Sequence, residues 1–205
     1  MTHIPCLFGI LNITTDSFSD GGAYLDSEKA LEKALTLHAG GAEIIDIGPA
    51  SSHPDSTPVS AKTEIDRLTT IVPALKELNI PISIDSYQTQ TQRWALQQNV
   101  DWMNDIHGFT DPALYSDLAA SDCRLVVMHA IQSAGAATRT APPAGDIFDH
   151  ICRFFDTRIT ELMKAGIDQN RIVIDPGMGF FLGDTPEPSL TMLARIDKLK
   201  KIFGK

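Results

Sequence analysis

A parallel (β/α) barrel is the fold class this sequence predicts, and two observations carry it. Short β-branched or aliphatic runs (residues 4–11, 43–47, 80–85, 102–106, 124–129 and 171–175) alternate with helical periodicities, which implies a parallel sheet. Polar residues then fall at or just past the ends of those runs: Asn12, Asp46, Asp85, Asn104 with Asp105, His129 and Asp175. In a barrel these ends converge on one rim, where binding sites are built. A doubly wound sheet is the competing architecture, but it carries G-x-G-x-x-G after its first strand, and N-I-T-T-D-S-F-S-D-G-G stands there instead.

Each helix is justified by its period. Ala30, Leu31, Ala34, Leu35 and His38 share a face in a helix expected to be capped by Ser27 and stopped at Gly40-Gly41. Ile65, Leu68, Val72, Leu75 and Leu78 form the next, begun after Ser60, with Pro73 expected to kink or restart it. Ile147, Ile151, Phe154, Phe155, Ile159 and Leu162 form another, ending at Gly166, and Leu190, Leu193, Ile196, Leu199 and Ile202 the last. Six strands and about six helices fall short of the eight of each in a closed barrel of roughly 250 residues. The expectation is an incomplete TIM (β/α)8-type barrel of about six β/α units, one domain over residues 1–205, truncated at its C-terminus.

Composition narrows the function. With 43% hydrophobic and 21% charged residues the chain is an ordinary globular domain, and a formal charge of −9 leaves no broad basic face for nucleic acid or acidic lipid. The longest apolar run, residues 4–11, is far shorter than the ~20 residues that span a membrane, and the N-terminus lacks the pattern of a signal peptide. Cys6, Cys123 and Cys152 are widely spaced and read as buried thiols in a reducing compartment, so a cytoplasmic protein is expected.

The rim segments carry a resemblance. G-I-L-N-I-T-T-D-S-F-S-D-G-G (residues 9–22), I-D-I-G-P-A-S-S-H-P (45–54), I-S-I-D-S (82–86), M-N-D-I-H-G-F (103–109), V-V-M-H (126–129) and V-I-D-P-G-M-G-F (173–180) resemble, in order, the blocks of the dihydropteroate synthases. One block alone is weak; six in register are specific. S-S-H-P-D and D-P-G-M-G-F-F-L look closest to the plasmid-borne, sulfonamide-insensitive subgroup, where most chromosomal enzymes read S-T-R-P-G and D-P-G-[IF]-G-F-G-K.

The resemblance implies a transferase of folate biosynthesis that joins a pterin pyrophosphate to p-aminobenzoate, with Mg²⁺ as cofactor and small molecules as its ligands. It implies that Asp85, Asn104 and Asp175 anchor the pterin and that Met128 packs against it. Carboxylates on different strands suit that ring, receiving its N–H and exocyclic amine as paired hydrogen bonds. By the same resemblance Asn12 is the Mg²⁺-associated oxygen donor, and Ser52, His53, Pro54, Phe180 and Phe181 face p-aminobenzoate. Asp16 and Asp20 bracket Phe18 in the family's mobile first loop, where a carboxylate would stabilise a cationic pterin methylene, making them the catalytic candidates.

Blander readings stand beside these. A strand-end Asp can be a helix cap, Asn12 can open a turn, and residues 14–22 can be a solvated loop. His107 and His129 read as structural, and Arg139, the cation of the loop 130–145, reads as solvated. Two departures change chemistry: His53 replaces the usual Arg, and Phe181-Leu182 replace Gly-Lys on loops facing p-aminobenzoate. The family's S-R-K-S and R-[TV]-H motifs are absent from residues 1–205, so turnover by this chain alone is not expected. A homodimer or an associating fragment is expected. The alternatives are an inactive partial barrel that folds by association and a methyltetrahydrofolate-binding methyltransferase domain; the D-S-F-S-D-G-G loop argues against the latter.

Overall fold

The structure, a computed structural model, describes residues 5–14 and 23–204. Strands β1 (Phe8–Asn12), β2 (Ile44–Gly48), β3 (Ile82–Asp85), β4 (Trp102–Asp105), β5 (Arg124–Met128) and β6 (Ile172–Asp175) form one sheet. They lie in chain order and every neighbouring pair is parallel. A doubly wound sheet reverses its order partway; here each crossover advances by one strand, the winding of a barrel.

Helices α1 (Ala23–Ala39), α2 (Ala61–Glu77), α3 (Thr89–Gln97), α4 (Tyr115–Ala119), α5 (Ile147–Lys164) and α6 (Glu187–Phe203) supply the crossovers and the last turn of chain. Consecutive helices pack side by side, α1 on α2, α2 on α3, α3 on α4 and α5 on α6. Strand alternation then divides the residues between two faces. Ile45, Ile47, Ile82, Ile84, Met103, Leu125 and Val127 are buried in one core with Leu68, Val72, Ile151 and Phe155 of the helices. The opposite parity, Asp46, Asp85, Asn104, Met128 and Asp175, belongs to the other face.

Several sequence expectations need correction. α1 begins at Ala23, so Ser27 lies inside it, because Ala23–Asp26 offers nothing that breaks a helix. α2, capped as expected by Ser60 accepting from the Thr63 amide, runs unbroken through Pro73. That proline and Thr69, whose carbonyl loses its partner, are both exposed, so water can serve the carbonyl. Leu35 and Leu78 are exposed, and Leu78 is the cap residue after α2. Of the three thiols expected to be buried, Cys123 is, but Cys6 is exposed and Cys152 half-buried. α6 departs most. It buries Pro188, Met192 and Leu199, whereas Leu190 is 61% and Leu193 58% exposed, with Ile196 and Ile202 also open. Two apolar stripes were superimposed in one periodicity, and packing on α5 uses only one of them. Among the described residues β1 pairs only with β2 and β6 only with β5, and no helix is long and apolar enough to cross a membrane.

Candidate active site

Register brings the expected residues together. Asp85 and Asn104 are partners across β3 and β4, and Met128 and Asp175 across β5 and β6. The Asn104 side-chain amide donates to Asp46 Oδ2 over 3.4 Å, which adds Asp46 to the group. The sequence places Asp46 at a strand end without a role; its signal was a lone acid in the apolar strand I-I-D-I-G. Buried Asp46 Oδ1 and Asn104 Oδ1 have no protein hydrogen-bond partner among the described residues. Buried acceptors without partners are costly, and they mark where a donor-bearing ligand belongs.

Burial pushes the carboxyls up. Asp85 rises well above the usual carboxylate range, from burial first and then from the negative neighbours Asp46, Asp105, Glu64 and Asp175. Asp46 is raised by burial against the pull of Ser83 and Asn104, and Asp175 by burial against the Gly177 amide, which donates to its Oδ1 at 2.8 Å. Behind them lies a network that sequence reasoning missed. Glu64, 1% exposed, accepts from Ser86 and Thr91 hydroxyls at 2.6 Å each. Asp105 accepts from the backbone amides of His107 and Phe109 and from the Gln92 side chain. Glu64 sits on α2, far in sequence from the strands it supports, which is why the motifs do not reveal it.

Two glycines shape the backbone here. Gly177 has φ +72, and a Cβ on it would stand 2.4 Å from the His129 carbonyl oxygen, so the D-P-G turn passes flush under β5. A Cβ on Gly48 would lie 2.7 Å from Asn12 Oδ1; its absence lets the Asn12 amide sit over the end of β2.

Beside this floor lies a cleft of about 610 Å³, whose lining includes Asn12, Ser52, His53, Pro54, Phe180 and Phe181, with Asp55, Ala137 and Met178 among the rest. All the residues expected on the p-aminobenzoate side therefore share one cavity with the expected metal donor. Leu182 does not: it is fully buried in the core, which corrects its expected place on the cleft wall. Arg139 is not simply solvated either. It pairs with Asp55 and lies over the Phe180 ring, 4.9 Å from its centroid. The His53 ring meets Phe180 edge-on at 5.8 Å.

His107 and His129 each leave one buried ring nitrogen, Nδ1 of the first and Nε2 of the second, without a hydrogen-bond partner among the described residues. His129 is fully buried, its Nδ1 3.3 Å from the Pro176 carbonyl and its pKa lowered to about 4 by burial and by His150. His107 Nε2 meets the Gly135 carbonyl at 2.8 Å. Asp16, Phe18 and Asp20 lie outside the described residues. Among the described residues no cluster of three His, Cys, Asp or Glu could hold a metal.

Fold and site together define a (β/α)-barrel protein with buried acceptors on its strands, unpartnered among the described residues, and an aromatic-walled cleft at its side. The chain belongs to the family of pterin binding enzymes, which it matches over residues 8–205. It is 56% identical to a dihydropteroate synthase type-2 of Escherichia coli over 96% of this chain and 72% of that one. A type-3 synthase of Escherichia coli is 50% identical over 97% of this chain and 75% of its own length. Among solved structures, a Xanthomonas albilineans dihydropteroate synthase with 4-aminobenzoic acid superposes with a TM-score of 0.86 at 31% identity, covering 97% of this chain and 70% of that one.

Proposed function

We propose that the protein carrying this sequence is a dihydropteroate synthase. It condenses 6-hydroxymethyl-7,8-dihydropterin pyrophosphate with p-aminobenzoate to 7,8-dihydropteroate and pyrophosphate, a step of folate biosynthesis. The observation that carries this reading is the adjacency of two unlike halves: partnerless buried acceptors on β2 and β4, and a cleft walled by aromatic rings. Asp85, Asn104 and Asp175 hold the pterin edge, with Met128 packed beside it. The C–O bond to pyrophosphate breaks, the p-aminobenzoate amine forms its N–C bond to the methylene so released, and its surplus proton passes to water or the departing pyrophosphate. No protein nucleophile is needed. Asp20, with Asp16, supplies negative charge where the methylene becomes cationic.

Mg²⁺ fits as cofactor. Asn12 offers one oxygen over the bare Gly48, and Mg²⁺ binds with one or two protein oxygens while phosphates and waters supply the rest. When bound it would neutralise pyrophosphate charge. We further read the protein as sulfonamide-insensitive. His53 and Phe181 change charge and bulk where a sulfonamide substituent would project, and rejecting one such group is worth about 1–3 kcal/mol. Free thiols support a cytoplasmic location, and the open stripe of Leu190, Leu193 and Ile196 supports self-association.

The direct test is pteroate formation from the two substrates with Mg²⁺ by the protein carrying this sequence. Product is expected, and its formation should fall sharply in Asp175→Ala. Product at the wild-type rate in that variant would remove the carboxylate from the mechanism.

A further inference from the structure

Residues 130–145 cross from β5 to α5 as a strap between the two loops that flank the cleft. On one side the Ala137 amide donates to the Ser52 carbonyl at 3.0 Å. On the other, the Ile131 amide donates to the Phe181 carbonyl at 2.9 Å and the Gln132 side chain to the Phe180 carbonyl at 3.0 Å. Ala137 is 3% exposed and forms part of the cleft wall. Arg139 lies two residues on, its guanidinium joined to Asp55 on the first loop and set over the Phe180 ring of the second.

Phe180 needs such support. It sits on a single helical turn, Gly179–Phe181, whose backbone is held while its ring reaches into the cleft between two loops. His53 meets one side of the ring and Arg139 the face. A surface ion pair such as Arg139–Asp55, with side chains 53% and 65% exposed, adds little to stability. Its planar cation can nevertheless fix the position of an aromatic ring.

We propose that Arg139 is a positioning residue: clasped to Asp55 and set over Phe180, it holds the Gly179–Phe181 turn so that Phe181 stands where it restricts which aryl amines enter the cleft. This rests on the synthase reading, with p-aminobenzoate as the admitted ligand and N-substituted sulfonamides as the rejected class. Lysine could keep the ion pair but lacks the flat guanidinium, so Arg139→Lys would not restore selectivity.

The experiment is direct titration of wild type, Arg139→Ala, Arg139→Lys, Phe180→Ala and the Arg139→Ala/Phe180→Ala double variant with p-aminobenzoate, a sulfonamide and 6-hydroxymethylpterin. Arg139→Ala is expected to lower the ratio of sulfonamide to p-aminobenzoate Kd about tenfold, with pterin affinity unchanged. Lysine should not rescue it, and the double variant should fall no further than Phe180→Ala. An unchanged ratio in Arg139→Ala, or additive effects in the double variant, overturns the inference while leaving the synthase reading intact. Wild-type protein that binds pterin but neither aryl ligand overturns the reading of the cleft, and the inference with it.

Discussion

The floor of the mouth and the cleft beside it are built by opposite means. The floor hangs on strand ends in fixed register, with acids buried against their own desolvation and mutual repulsion. The cleft is made of loops, tied by backbone hydrogen bonds and by the exposed Arg139–Asp55 pair. A ligand anchored on the floor meets groups the sheet cannot move, held in a state that folding alone does not favour. A ligand in the cleft meets walls that can change without disturbing the core. Binding chemistry should thus be intolerant of substitution on the floor, and selectivity adjustable in the cleft.

Breaking the floor's backbone should have the largest effect. Gly177→Ala sets a Cβ against the His129 carbonyl at a positive φ and should cost about 1–3 kcal/mol or more, read by denaturant unfolding. A midpoint within error of wild type would mean that the turn adapts easily. Charge on the floor gives the next contrast. Asp85 has a folded pKa above its unfolded one, so its contribution is fully present below the unfolded value and is lost as pH rises through the folded value. Asp85→Asn should therefore stabilise the fold at pH 8, with a smaller gain near pH 4, while weakening pterin binding. His129 runs the other way: lowered to about 4, it contributes stability above pH 6.5 that disappears as pH falls toward 4. Equal effects of Asp85→Asn at both pH values would remove the electrostatic part of the comparison.

Changes to the cleft should be milder for the fold and visible in selectivity. Phe181→Gly should tighten sulfonamide binding by roughly 10-fold, against a smaller change for p-aminobenzoate. Asp55→Asn breaks the exposed pair with Arg139 and the approach of His53 Nδ1 at 3.7 Å, and should loosen selectivity in the cleft while shifting unfolding by less than about 1 kcal/mol. A larger loss would make the strap part of the structural core.

The same contrast governs how much could be read from sequence. Strand ends were legible because each acid stands against an apolar run, and the residues on the cleft could be named because their motifs resemble blocks of the family. β1 starts at Phe8 rather than at the front of its run, since Pro5 cannot donate to a ladder and Leu7 is exposed. Arg139 meeting Asp55, 84 residues away, and Glu64 supporting Ser86 and Thr91 are tertiary facts that no local pattern encodes. Leu182 shows the converse error: the family position of the Gly-Lys it helps replace suggested the cleft, whereas the helical turn directs it into the core.

The most direct test of the two-part site is a pterin titration by calorimetry into wild type, Asp175→Ala and Phe180→Ala. The account predicts that Asp175→Ala loses about 1–3 kcal/mol of affinity, as expected when paired donors on the ligand lose their carboxylate, while Phe180→Ala binds as wild type. Equal pterin affinity in wild type and Asp175→Ala, or a loss confined to Phe180→Ala, would contradict it.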